Sequence, residues 1–318
     1  MRLRPIAAVS TVAVSMLLLA GCATATEPDA EETPTTAVDL CSAIAEPGDA
    51  SDAVSVEGEP GTPATASFEA PLEFTEPQVS IIAEGEGDPI EAGDFVSFAF
   101  TVFDATSGEE LATVGYEDGE VLPAQVSADS GLGQMVGCAA PGQRVVAAIP
   151  ATDSYGPEVY VLAVLGTIDM TATGEAQDVP EGMPEVSIAE DGTPSVTVGE
   201  TATPAETEVA PLKKGDGVTV GEGDLVLIQY HGVRLSDGEV FDSTWASGAP
   251  ISYQTTGFVE GFQKALVGQT VGSQVLTVIP PAEGYGEGEI NEEDLKGETL
   301  VFVIDILGAQ HVDQAAAE

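Results

Sequence analysis

The segments GEVFDSTW (Gly238–Trp245), VIPPAEGYGEG (Val278–Gly288) and TLVFVIDIL (Thr299–Leu307) decide how this chain is read. The first sets an aromatic beside a carboxylate, Phe241-Asp242, just after Asp237-Gly238. Asp-Gly between apolar runs favours a hairpin, here Leu225 to Leu235 returning through Val240 and Phe241. The second segment isolates Tyr285 between two glycines, where it has little local surface to pack on. The third is almost wholly apolar, as a strand buried on both faces must be, and is predicted to be central. Val259, Phe262, Ala265 and Leu266 recur at helical spacing over Phe258–Val267, and Gly268 stands where a left-handed residue ends a helix. That spacing predicts about three helical turns. With Ser273–Ile279 as a further strand, the simplest assembly is α+β: a twisted antiparallel sheet wrapped over one short helix, with the aromatics around a pocket.

The pattern occurs twice. Asp94, Gly108, Gly131, Gly142, Ile149-Pro150 and Tyr155-Gly156 recur as Asp224, Gly238, Gly261, Gly272, Ile279-Pro280 and Tyr285-Gly286, always 130 positions apart. Matches at one spacing mark a duplicated unit. The copies occupy 94–170 and 212–310, joined by a Pro-, Thr-, Glu- and Gly-rich linker at 171–211. Pro184–Val198 in that linker resembles Pro77–Ile90, so each copy is expected to open with a leading strand. Residues 54–93, broken by Gly58, Pro60, Gly61 and Pro63, read as leading edge strands. Residues 311–318 remain as a tail.

Residues 1–21 read as a signal peptide: Arg2 and Arg4 precede the apolar run Ile6–Ala20, which is too short to span a bilayer. Leu19-Ala20-Gly21-Cys22 resembles a bacterial lipobox, making Cys22 the lipid acceptor; a plain secretory signal with an incidental cysteine is the alternative. Each buried CH₂ of a lipid contributes about 0.8 kcal/mol. The expected location is therefore extracytoplasmic, anchored to the outer face of the cell membrane. Residues 22–53 form the lipid-anchored flexible tether, since Ala23–Val38 is Thr, Ala, Pro and Glu without apolar periodicity. Setting Cys22 aside leaves Cys41 and Cys138, an even pair in an oxidising space. A disulfide between them is expected to tie the N-terminal segment to the first copy.

Eight basic against 54 acidic residues give a formal charge of −46. Such a surface repels nucleic acid and anionic headgroups, although a highly solvated exterior is its plainer meaning. His231 and His311 are the only histidines, and no Cys/His cluster has zinc spacing, so neither metal nor cofactor is expected.

Specific motifs follow one another in the second copy: Tyr230, Phe241-Asp242-Ser243, Gly261 before an aromatic, Val267-Gly268-Gln269, Ile279-Pro280-Pro281 leading to Gly284-Tyr285-Gly286, and Thr299–Phe302. In order and spacing they resemble the FKBP-type peptidyl-prolyl cis-trans isomerases over most of 212–310. The resemblance implies two FKBP-like domains, the second intact, and an isomerase acting on X-Pro bonds without nucleophile or metal. It implies Tyr230, Phe241, Phe262 and Phe302 as aromatic lining, with Phe262 where the family usually has tryptophan. It also implies Asp242 as pocket carboxylate, Tyr285 as a hydroxyl holding the ligand backbone, Val259 as an N–H donor to a substrate carbonyl, and Ile251 and Phe258 as flanking apolar positions. The residues alone leave other readings open, because aromatics commonly fill cores and a strand-end aspartate also suits a turn or cap.

Two departures from the family stand out. Gly288–Glu298 is mostly acidic where the family commonly has an apolar, proline-bearing overhang, so a more open and less tightly binding pocket is expected. In the first copy Phe100, Leu111, Ala112 and Leu132 replace Tyr230, Phe241, Asp242 and Phe262, and the last strand, Val159–Leu165, arrives twelve residues early. Hydroxyl, carboxylate and floor aromatic are gone, and Tyr155 alone survives; a degenerate copy is expected. Partners implied are proline-containing exported or unfolded polypeptides, the family's macrolide ligands, and the membrane through Cys22. A non-catalytic extracytoplasmic chaperone or peptide-binding module, and an envelope scaffold, are the competing functions.

Overall fold

The computed structural model describes residues 39–290 and 294–312. The lipidation position Cys22, residues 1–21, the tether as far as residue 38 and the end of the tail lie outside them. In the first sheet, β1 (Gln78–Ala83), β2 (Phe95–Asp104), β3 (Glu110–Val114), β4 (Arg144–Ile149) and β5 (Glu158–Thr167) lie in the order β1-β4-β5-β2-β3. Helix α1 (Gly131–Val136) packs on one face. In the second sheet, β6 (Glu208–Lys214), β7 (Leu225–Arg234), β8 (Val240–Ser243), β10 (Gln274–Ile279) and β11 (Leu300–Gln310) run β8-β7-β11-β10-β6. Strand β9 (Ile251–Gln254) pairs with β7, and helix α2 (Glu260–Leu266) covers the face. All neighbouring strands are antiparallel.

Period-two alternation builds two cores on every long strand. On β11, Leu300, Phe302, Ile304 and Ile306 face α2, while Val301 and Val303 face the hairpin Glu185–Ile188/Pro194–Thr197. In the first sheet Val145, Ala147 and Leu162 face α1, and Val146, Val159 and Val161 face the hairpin Ser55–Glu57/Thr65–Ser67. Arg144, almost fully buried, pins that hairpin: its guanidinium donates to the Gly58 and Thr62 carbonyls at 2.8 and 2.6 Å.

The repeat is visible in the pairing itself. Ala148 pairs with Val159 and Val278 with Val301, so the offset is 130 before the loop into the last strand and twelve more after it. Bulges recur at Ile81/Ala83 and Pro211/Lys213, again 130 apart. The hairpin registers Ser55↔Ser67 and Glu185↔Thr197 keep the same spacing. This corrects the expected leading strand. The counterpart of β1 is β6, Glu208–Lys214, whereas Pro184–Val198 forms the hairpin over the outer face, because that face of β10 and β11 is apolar and needs cover. Helix α2 is also shorter than the spacing predicted, since Thr255–Gly257 is a 3₁₀ turn and Val259 is extended.

The stretch 171–211, expected as a linker, is bound along the second sheet. Ala172 N–H donates to Asp305 Oδ2 at 2.8 Å, Lys213 Nζ to the Ala172 carbonyl at 2.7 Å, and Glu175–Ala176 pairs with β6. Phe95, Leu227 and Leu307 form a shared core between the sheets, and the described residues fall within one compact unit. At the other end Cys41 and Cys138 are disulfide-bonded, with Cα atoms 4.5 Å apart, and Leu40 is buried beside α1. Among the described residues, no helix is long and apolar enough to cross a membrane and no cluster could hold a metal ion.

Candidate active site

Alternation on β7 turns Ile228 and Tyr230 toward α2 and Val233 toward the outer hairpin. Tyr230 thus meets Phe262 from the helix and Phe302 from β11, edge-on at 5.9 and 6.0 Å between ring centroids. Phe241, delivered by the hairpin through Gly238 (φ +75°), meets Phe302 edge-on at 5.4 Å. Phe258 stacks on Phe262 at 4.5 Å. Edge-on and offset contacts suit the ring quadrupoles and hold each ring in place. The rings enclose a cavity of about 210 Å³ lined by Tyr230, Phe241, Asp242, Gly257, Phe258, Val259, Phe262, Tyr285 and Phe302.

Phe262 and Phe302 are 3% and 5% exposed and form the floor, while Tyr285 at the rim is 52% exposed. Tyr230 Oη donates to Asp242 Oδ2 at 2.6 Å. Burial first, then the bond to Asp242 and its charge, push the Tyr230 phenol well above its ordinary pKa, so the ring keeps its proton. Asp242 itself is solvent-exposed and pairs through Gly232 across β7 and β8. Val259 precedes helix α2, so its amide N–H lies outside the helical ladder.

The structure gathers eight of the nine expected pocket residues around this cavity; the exception is Ile251. It sits on β9 opposite Ile228, two residues before Tyr230 on β7, and packs part-buried into the same core without lining the cavity. Two glycines were missed. Gly257 lines the cavity, and a Cβ there would collide with the Tyr253 ring. A Cβ on Gly232 would lie 2.7 Å from Phe302 and 2.8 Å from Phe241, so glycine is what lets both rings meet. In the acidic loop, Leu295 packs against the core and Ile290 is exposed.

Residues 217–307 match the family model described as FKBP-type peptidyl-prolyl cis-trans isomerase. A probable FK506-binding protein of Corynebacterium glutamicum is 37% identical over 95 residues, 30% of this chain and 80% of its own length. An FK506-binding protein of Streptomyces anulatus is 32% identical over 106 residues, 32% of this chain and 86% of its own. The crystal structure of FkpA from Escherichia coli aligns with a TM-score of 0.31 and 24% identity, over 41% of this chain and 53% of that one. The matched segment carries β7 to β10, most of β11, helix α2 and the aromatic cavity, and through it this chain belongs to the FKBP-type peptidyl-prolyl cis-trans isomerase family.

Proposed function

We propose that this protein is an exported, lipid-anchored isomerase that assists the folding of proteins outside the cytoplasm, with the second sheet, its helix and its cavity as the catalytic domain and the first sheet with its helix as a degenerate FKBP-like domain. Rotation about an X-Pro bond faces a barrier of about 18–20 kcal/mol because the planar amide loses resonance midway. No bond is made or broken, so catalysis is a preference for the twisted amide over either planar form. The twisted amide has less charge separation and depends less on water, which a ring-walled cavity favours. A proline ring enters over Phe262 and Phe302; the Val259 N–H donates to a substrate carbonyl, and the Tyr285 hydroxyl holds the backbone at the rim. Asp242, fixed by Tyr230, supports the rotated amide electrostatically, with no proton transferred.

The observation that carries this reading is the conjunction of a ring-walled cavity with the Tyr230–Asp242 hydrogen bond at its edge. At about 210 Å³ the cavity falls below the roughly 300–1,000 Å³ of drug-sized ligand sites. It suits one prolyl side chain, and the family's macrolide ligands would lie largely outside it and bind weakly. Export rests on the Arg2, Arg4, Ile6–Ala20 and Cys22 pattern, and the Cys41–Cys138 disulfide suits an oxidising compartment. The test is cis-to-trans conversion of an X-Pro tetrapeptide by the mature chain. A rate equal to that in buffer would remove the enzyme reading, and aggregation suppression without turnover would identify a binding module. Fatty-acid labelling lost in Cys22→Ala would support the anchor.

A further inference from the structure

By residue identity the first sheet has lost the pocket's hydroxyl and carboxylate, since Phe100 and Ala112 stand for Tyr230 and Asp242. Its pairing register restores both. Gly232 pairs with Phe302 on β11, and at the matching place on β5 Val102 pairs with Tyr160. Tyr160 therefore occupies the position of Phe302, and Phe100 that of Tyr230: phenylalanine and tyrosine have changed places between the two strands. Their rings meet at 5.7 Å, against 6.0 Å in the second sheet. Tyr160 Oη donates to Glu158 Oε2 at 2.6 Å, the same length as the Tyr230–Asp242 bond. Glu158 lies two residues before Tyr160 on one strand, hence on the same face.

The surroundings follow the same plan with less enclosure. Tyr155, in the loop position of Tyr285, is 69% exposed. Leu132 takes the place of Phe262, and Phe98 stacks beside Phe100 at 6.3 Å. Leu132, Phe98, Phe100 and Tyr160 stay part-buried, where Phe262 and Phe302 are buried. Leu111 in the place of Phe241 is turned out to 51% exposure, so no ring closes that side. Burial, then the Glu158 hydrogen bond, push the Tyr160 phenol above its ordinary pKa and keep it a donor.

We propose that this face of the first sheet is a second peptide-binding site, taking a proline-bearing segment of an unfolded polypeptide and holding it without isomerising it. Of the groups that, on the reading given above, receive a prolyl segment in the second cavity, this face keeps the strand ring, Tyr160 for Phe302, and the loop tyrosine, Tyr155 for Tyr285, and it repeats the carboxylate-held tyrosine beside them. The missing wall removes the enclosure on which turnover depends. An unfolded client with several prolines is thereby held at one site while another of its bonds is presented to the cavity at raised local concentration.

Ring-¹³C-tyrosine NMR on the mature chain tests both sites in one sample, with the probe peptides Ala-Leu-Pro-Phe and Ala-Leu-Ala-Phe. The expected result is saturable movement of the Tyr155 and Tyr160 signals with the proline peptide only. Tyr160→Phe is expected to weaken that site about three- to tenfold, the worth of one hydrogen bond, without altering the response of Tyr230 and Tyr285. Phe241→Ala is expected to affect Tyr230 and Tyr285 alone. Tyr155 and Tyr160 signals that stay still while Tyr230 saturates would overturn the proposal, as would equal responses to both peptides or an unaltered affinity in Tyr160→Phe. Movement of Tyr155 and Tyr160 with Tyr230 and Tyr285 still would uphold it while removing the reading of the second cavity.

Discussion

Replacing Phe241 by leucine and Asp242 by alanine gives the second cavity the residues that Leu111 and Ala112 supply in the first sheet. The leucine removes the edge-on contact of Phe241 with Phe302 at 5.4 Å, a pair worth about 0.5–1.5 kcal/mol beyond the area it buries. It also leaves space over Gly232, whose missing Cβ had accommodated the ring, so the wall facing the substrate loses its shape. The alanine releases the Tyr230 hydroxyl from a charge-assisted bond; because Asp242 is exposed, about 1 kcal/mol is the appropriate figure. Together these remove about 1.5–2.5 kcal/mol of transition-state stabilisation, or roughly 13- to 70-fold in kcat/KM at about 1.36 kcal/mol per decade. The assay is protease-coupled isomerisation of an X-Pro tetrapeptide, with a thermal melt to verify folding. The two positions are adjacent, so the single variants are not expected to sum to the double. A double variant within threefold of the parent, with an unchanged melt, would refute the role given to these residues.

Asp305, whose pKa burial raises above 3.8 against the opposing bonds from Ala172 and Gln274, contributes stability that is full below that value and is lost as pH rises through its folded pKa. Asp305→Asn keeps both bonds once the Gln274 amide turns over, so at pH 7 it should melt no lower than the parent, with its advantage gone below about pH 4. Asp305→Ala should cost about 1–3 kcal/mol in denaturant unfolding by stranding buried donors. His231, whose pKa burial lowers from 6.5, contributes stability that is whole above that value and drains as pH falls through its folded pKa. Melts of His231→Gln between pH 7 and 5 should lack that component. Cys41→Ser with Cys138→Ser opens a loop of sequence separation 97 and should lower stability by about 2–5 kcal/mol, leaving isomerisation at the second cavity intact.

How legible all this is in the sequence depends on what each feature requires. Phe241, Phe262 and Phe302 are readable because hairpin, helix and strand periodicities each turn them to one face. Tyr160 and Glu158 are not, because the shorter loop before β5 moves the offset by twelve residues and only hydrogen-bond register shows what faces what. Strand β6 is hidden for a related reason: PEVSI at Pro184 looks like PQVSI at Pro77, yet alternation of that kind serves equally for an edge strand or an outer hairpin. The glycines at 232 and 257 announce nothing locally, since what they permit is the approach of rings distant in sequence.

The outer hairpins bear on whether the catalytic half can be severed. A cut at residue 212 would divide β6, remove the Ala172 contact to Asp305 and strip the cover from Val301, Val303, Leu276 and Val278. The exposed patch would be a row of valine and leucine across neighbouring strands, a surface that invites aggregation. The smallest piece able to keep the cavity in shape begins ahead of Met170, whose carbonyl receives the Gln229 amide. Inheritance or engineering that exchanges this catalytic unit would have to carry its preceding stretch with it.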